Sequence, residues 1–244
     1  YSHIGTGNYN PKTSRLYEDF GLFTADEQVG RDLTRLFNEL SGYAIEKKFK
    51  RLLVAPLHLR KGLLRLIDKE RRNAQDGKPA HIRIKVNSMV DEQIIDALYR
   101  ASAAGVRVDV WVRGICSLKV GLDGVGDNIT VRSILGRYLE HSRIFAFAND
   151  GDPQVYIGSA DMMHRNLDRR VEALVRVVAP AHVKELVDLF DVAMSDETSS
   201  WHLEPTGDWV RHHVSESGTP LVDLQERTMT QIQRRRRARA RAVR

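Results

Sequence analysis

Cysteine is almost missing from this sequence: 244 residues hold one, Cys116, so no internal disulfide can form and the chain suits a reducing cytoplasm. Long apolar runs are absent as well. None approaches the roughly 20 residues that a membrane helix needs, and no charged-then-apolar leader opens the chain. GLDGVGD (121–127) is glycine-rich but has no lysine-serine ending, so it reads as a turn between strands rather than a nucleotide P-loop. His202, His212 and His213 lack cysteine or carboxylate neighbours at zinc spacing and read as surface residues. Cys116 reads as a small buried hydrophobe rather than a nucleophile. Disulfide-stapled, membrane-spanning and P-loop classes are thereby set aside.

What is present is a chain 42% hydrophobic, long enough to bury the core of one large soluble domain or two small ones. It opens at Tyr1 rather than Met, in a stretch that already reads as a strand, so a piece of a longer protein is expected. The pI near 9.5 suggests a polyanion partner, but the charge is concentrated at one end. Residues 234–244, RRRRARARAVR, carry seven arginines, which leaves 38 − 7 = 31 basic against 32 acidic residues elsewhere. The body is close to neutral. The run is expected to be a solvated, disordered tail, with polyanion contact as the alternative.

Hydrophobic periodicity predicts alternating strands and helices. RLLVAP (51–56) reads as a buried strand, Leu59 to Ala74 as a helix, HIRIKV (81–86) as a strand, DEQIIDALYRASAAG as a helix closed by Gly105, and VRVDVWV (106–112) as a strand. This order favours an α/β layer structure with a mixed or mostly parallel sheet. Shorter strands follow in NITVRSI, RIFAF, QVYIGS and RRVEALVRVV, then a helix from about Ala181 to Met194 and a last amphipathic piece from Leu221 to Gln233.

A repeat organises these elements. The segment from Ile4 lies over the segment from Ile157 without a gap, at an offset of 157 − 4 = 153. Gly5 meets Gly158, Thr6 meets Ser159, Asn8 meets Asp161, Asp19 meets Glu172 and Phe37 meets Phe190. The chain therefore reads as the end of a first repeat (1–45), a complete second one (46–210) and a weakly patterned C-terminal extension (211–244). In the complete unit His141-Ser142-Arg143 precedes Ile157; the first unit's counterpart would lie before Tyr1, and His3 cannot replace it because it aligns with Tyr156.

One His-x-cation motif with a doubled Gly-hydroxyl-x-Asn/Asp resembles the phospholipase D superfamily, in which two copies of His-x-Lys and Gly-Ser-x-Asn meet. An imidazole can attack phosphorus or pass a proton near neutral pH, and Arg143 adds a guanidinium fork suited to phosphate. The match is closer to polyphosphate kinase type 1, whose C-terminal half HIGTGNYNPKTSRLYEDFGLFTAD (3–26), NSMVDEQIIDALYRASAAGVRVDVWVRGICSL (87–118), RYLEHSR (137–143) and YIGSADMMHRNLDRRVE (156–172) are similar to. That resemblance covers about residues 1–210. It implies a phospholipase D-like α/β fold and reversible transfer of the terminal phosphate of ATP to inorganic polyphosphate through a phosphohistidine upstream of this chain. The chain alone would then be inactive. It further implies Mg²⁺ held upstream, ATP/ADP and polyphosphate as partners together with the rest of the same polypeptide, no specific nucleic acid, a homo-oligomer when full length, and a cytoplasmic or membrane-associated location. A phosphodiesterase or nuclease of the wider superfamily and a polyanion-binding module are the alternatives.

By the same resemblance Tyr17, Arg113 and His141 contact nucleotide. Core packing is the alternative for Tyr17, whose ring could stack on a base, and a structural salt bridge for Arg113 at the end of its strand. Arg170, aligned with Tyr17, would face the same cleft, unless Arg169 is the exposed one. Asp19 is expected to orient His141 and Glu172 to orient the histidine of the first unit, with exposed surface carboxylates as the bland reading. Thr6, Asn8, Ser159 and Asp161 are phosphate-side or turn-shaping groups, and Gly5 and Gly158 are expected to matter for backbone reasons.

Overall fold

Alternating apolar residues make strands, and in the computed structural model, which describes residues 1–43 and 48–242, they line up as a broad sheet. The elements run β1 (Ser2–Gly5), β2 (Tyr17–Glu18), β3 (Gly21–Thr24), α1 (Glu27–Leu40), β4 (Leu52–Val54), α2 (Leu59–Gln75), β5 (His81–Val86), α3 (Glu92–Ala103) and β6 (Arg107–Val112). They continue through β7 (Ile129–Ser133), β8 (Leu139–Glu140), β9 (Arg143–Phe147), β10 (Gln154–Gly158), β11 (Ala173–Val177), α4 (Pro180–Ala193), β12 (Ser200–Leu203), β13 (Trp209–His212) and α5 (Leu224–Ala242). Acidic caps start two of the helices: Asp26 accepts from Val29 N at α1 and Asp91 from Ile94 N at α3.

Nine strands form one sheet in the order β13-β12-β7-β6-β5-β9-β10-β11-β4. Only β5/β6 and β6/β7 pair in parallel, and the remaining neighbours are antiparallel. The sheet is mixed, which corrects the mostly parallel alternative. The reason lies in the antiparallel run β9-β10-β11, which sits between β5 and β4, so that the first β-α-β unit spans three strands instead of joining neighbours.

Side chains alternate between two cores. In β9, Phe145 and Phe147 face the side covered by α2 and α3, while Ile144 and Ala146 face the side covered by α1 and α4. Buried Asp32 of α1 accepts the amides of Lys50, Arg51 and Leu52, which anchors the approach to β4.

The repeat survives folding residue for residue. β1 pairs with β3 through Ile4↔Leu22 and Gly5↔Gly21, and β10 pairs with β11 through Ile157↔Val175 and Gly158↔Leu174. Both partners are displaced by 153, as are the helix bounds, since 180 − 27 = 193 − 40 = 153. The two copies differ in what surrounds them. Phe190 is fully buried, but its equivalent Phe37 is 64% exposed, and Tyr9, Phe23, Leu40 and Tyr43 of the same segment are exposed too. The boundary expected at residue 45 lies outside the described residues, as do the last two residues of the arginine run.

The described part of that run is not a disordered tail. It continues α5, because arginine and alanine are good helix formers, Asp223 caps the first turn by accepting from Glu226 N, and Leu224 is buried against α4 and the sheet. No helix among the described residues is long and apolar enough to cross a membrane.

Gly158 has the backbone role expected of it. A Cβ there would stand 1.9 Å from the Ala173 carbonyl oxygen and 2.9 Å from Leu174 Cα, both backbone atoms that cannot swing away, whereas at Gly5 the obstruction is the Tyr9 hydroxyl. Gly158→Ala should cost about 3 kcal/mol by overpacking, lowering the melting temperature by roughly 10 °C in a thermal scan, and Gly5→Ala markedly less. Equal losses in the two variants would contradict this.

Candidate functional site

The ends of β5 and β6, the start of β9 and the turn after β10 meet at one side of the sheet, where a parallel β5/β6 pair presents its carboxyl ends. A two-stranded parallel ribbon adds the fourth wall: β2 runs beside β8 with Tyr17↔Leu139 and Glu18↔Glu140, and His141 N donates to Glu18 O at 3.2 Å. One step past the paired glutamates, Asp19 therefore stands across from His141.

Both Asp19 oxygens lie 3.0 Å from His141 Nδ1, with the two side chains 21% and 12% exposed. Asp19 is itself held, because buried Thr6 donates Oγ1–H to Asp19 Oδ1 at 2.7 Å while accepting from Phe20 N at 2.9 Å. A carboxylate at Nδ1 fixes the tautomer and leaves Nε2 as the nitrogen that can exchange a proton. Tyr17 stacks on the imidazole, with ring centroids 4.5 Å apart and planes at 26°.

Arg143 reaches the site but its fork is engaged. Nε and Nη2 meet the Asp161 carboxylate at 3.3 and 2.9 Å, and Nη1 donates to the carbonyl oxygens of His141 at 2.6 Å and Thr6 at 3.2 Å. The same Nη1 lies 3.2 and 3.1 Å from the two ring nitrogens of His141, which sets the guanidinium against the imidazole as a whole. Arg143 thus ties the Gly5 turn to the Gly158 turn, with Asp161 also accepting from Asn87 N at 2.7 Å. The guanidinium expected to face phosphate is committed to protein groups in this structure.

Arg113 is different. It follows the last residue of β6, is half-buried, and its Nη1 is enclosed without a hydrogen-bond partner among the described residues. Burial, then the neighbouring Arg143 charge, push its guanidinium below the ordinary value, while Asp161, Tyr17 and Asp19 act in the opposite sense. An enclosed N–H with no acceptor is a place for an anionic oxygen.

The remaining residues divide by repeat. Glu172, buried, accepts from Ser159 Oγ and from Asn166 Nδ2, mirroring the Thr6–Asp19 contact, but no histidine reaches it among the described residues. Asn8 is exposed, unlike its buried equivalent Asp161, and Arg169 and Arg170 are both exposed. His202 is not simply a surface residue: it is half-buried and stacked on His212 at 3.9 Å, and burial with the nearby Arg132 charge lowers it to about 4. Cys116 is part-buried, which pushes its thiol up.

The sequence reading missed Lys85, Glu18, Glu140 and Gln225, described below. The alternation of HIRIKV did signal that Lys85 shares a face with Arg83 rather than with Ile84, yet nothing local showed that this face is buried there.

The donor set does not fit a Mg²⁺ ion beside His141. Magnesium takes oxygen ligands, and the nearby carboxylates are already engaged: Asp19 by His141 and Thr6, Asp161 by Arg143, Glu18 and Glu140 by Lys85. A second acidic group, Asp91, Glu92 and His164, is likewise paired internally, Asp91 to Arg60 and His164 to Glu92 and Asp168.

Comparison with known proteins agrees with this geometry. Residues 1–46 match the family model described as Polyphosphate kinase C-terminal domain 1, and residues 52–221 the one described as Polyphosphate kinase C-terminal domain 2, so α5 lies past the matched residues. A polyphosphate kinase of Streptomyces coelicolor is 61% identical over 97% of the chain and 32% of its own length. One from Thermosynechococcus vestitus is 49% identical over 96% of the chain and 32% of its length. The solved polyphosphate kinase of Porphyromonas gingivalis superposes with a TM-score of 0.90 at 34% identity, over 97% of this chain and 36% of that one. The chain thus spans about a third of the length of the relatives it matches.

Proposed function

Because the chain belongs to the polyphosphate kinase family, we propose that it builds one side of a centre that reversibly moves the terminal phosphate of ATP onto inorganic polyphosphate. The observation that carries this reading is His141, held at Nδ1 by Asp19, together with Arg113, which feels the charges of Asp19, Asp161 and Arg143 and whose enclosed Nη1 has no hydrogen-bond partner among the described residues. Phosphoryl transfer needs positioned groups and charge neutralisation more than covalent novelty, and these two residues offer both.

In this reading the phosphorus–oxygen bond to the terminal phosphate of ATP breaks as a histidine upstream of the chain takes that phosphate, and ADP leaves. An oxygen of the polyphosphate end then attacks the same phosphorus and releases the histidine. His141 Nε2 holds or moves the proton at the bridging oxygen, Asp19 keeps the tautomer, and Arg113 receives a phosphate oxygen. Tyr17 packs on His141 and offers its ring edge region to the nucleotide. Arg143 sets the imidazole and joins the two glycine turns, Glu172 serves the upstream histidine as Asp19 serves His141, and Thr6 and Ser159 hold those two carboxylates. Asn8 and Arg170 remain open to phosphate. A Mg²⁺ ion for this reaction would take its protein ligands from the rest of the polypeptide. That same remainder is the partner suited to the exposed apolar residues of 1–43, and the chain by itself is expected to be inactive.

The test is to incubate the full-length protein with ATP labelled at its terminal phosphate. Acid-labile, alkali-stable protein label that chases into polyphosphate is expected; cleavage of a phosphodiester with no transfer from ATP would assign the site to hydrolysis instead.

A further inference from the structure

Behind the His141–Asp19 pair lies a charge that the sheet buries. Lys85 of β5 is 2% exposed, and its Nζ donates to Glu18 Oε2, Glu140 Oε2 and Ser142 Oγ, each at 2.6 Å. Ser142 donates in turn to Glu18 at 2.7 Å, and the ammonium rests 4.1 Å from the Trp111 ring centroid. Burial acts to lower Lys85 and to raise both glutamates. The two carboxylates nevertheless hold Lys85 above its ordinary value, Lys85 holds Glu18 below its own, and Glu140 stays raised.

Two carboxylates against one ammonium leave an excess acceptor, and α5 supplies the donor for it. Gln225, 6% exposed, donates Nε2–H to Glu140 Oε1 at 2.7 Å and to Tyr138 O at 2.8 Å, while its Oε1 accepts from Tyr138 N at 2.8 Å. Its amide packs so closely on Gly136 that a Cβ there would stand 2.5 Å away. Every hydrogen-bonding group of this side chain is therefore directed at Tyr138 and Glu140, in the segment that leads through β8 into His141. Glu18 and Glu140 are register partners in the ribbon, and each immediately precedes a member of the Asp19–His141 pair.

We propose that Glu18, Glu140 and Gln225 form a clamp around the buried Lys85 that sets the distance between Asp19 and His141, with the C-terminal helix acting through Gln225 as a positioning element for the site. The inference rests on the role given to His141 above. A buried charge cluster of this kind is rigid only while its donors and acceptors match, so one lost amide frees the ribbon to shift. Arg236, exposed and eleven residues beyond Gln225 on α5, makes no contact of the Gln225 kind among the described residues, so the charge of the run and the positioning role are separable by substitution there.

The test uses the full-length protein assayed for polyphosphate synthesis from ATP. Gln225→Met keeps the volume and removes the hydrogen bonds; we expect kcat to fall about tenfold with the KM for ATP within about twofold, while Arg236→Ala keeps wild-type kcat. Gln225→Glu places an acceptor where the amide donated, so its deficit should be largest at pH 8 and narrow toward pH 6 as the introduced carboxylate takes up a proton and donates again. A folded Gln225→Met with wild-type kcat, or a Gln225→Glu deficit independent of pH relative to wild type, overturns the clamp. If Gln225→Met is too unstable to assay, the pH profile of Gln225→Glu decides. His141→Ala run in parallel separates the two levels: full activity there removes the role of His141 itself, whereas loss there with unaffected Gln225 variants removes only the clamp.

Discussion

His141→Ala in the full-length protein is expected to lower kcat for polyphosphate synthesis by about 10²–10⁴-fold, the range a positioned proton-transfer group supplies. Nδ1 faces the Asp19 carboxylate, Tyr17 stacks on the ring and Arg143 Nη1 sits against both ring nitrogens, so the imidazole is fixed with Nδ1 turned to a carboxylate and Nε2 facing no acceptor of that kind among the described residues. Because the phosphate acceptor is proposed to be a histidine upstream of the chain, protein labelling from ATP should persist in the variant while turnover is lost. Turnover within about threefold of wild type would remove the assignment.

Asp19→Asn should cost nearly as much, about 10²–10⁴-fold in kcat with a small change in KM, by analogy with the orienting aspartate of a hydrolase triad. The variant keeps the size of the side chain, and Thr6 Oγ1 can still donate to one of its atoms. What changes is that the amide nitrogen can point at Nδ1, favouring the tautomer that carries its proton on Nε2. Nitrogen-15 NMR of labelled histidine checks this directly: wild type should show the proton on Nδ1 and the variant a shift toward Nε2. An unaltered tautomer together with wild-type kcat would show that the 3.0 Å contacts serve structure alone.

Much of the scaffold was legible in residue order. The helices and strands from Leu59 to Val112 fell close to their predicted spans because long periodic segments report their own geometry. The contact between Asp19 and His141, 122 residues apart, could be anticipated because the repeat supplies a second copy of the same arrangement at a constant offset. Other features escaped. Arg143 was expected to face phosphate, but a guanidinium two residues from a histidine says nothing of Asp161, whose carboxylate arrives from another turn. The arginine run looked like a tail because charge density was visible in sequence and the cap at Asp223 and the contact of Leu224 were not.

The α/β class, the duplication and the identity of the residues that could do chemistry follow from residue order, since these depend on periodicity and on residue type. That β4 crosses to the far edge, that Lys85 is buried between two glutamates and that Gln225 of the last helix reaches the segment just before His141 emerged with the assembled chain. Periodicity tells which face of an element is covered but not by what, and a buried polar group takes whichever long-range partner the assembled chain brings within hydrogen-bonding distance.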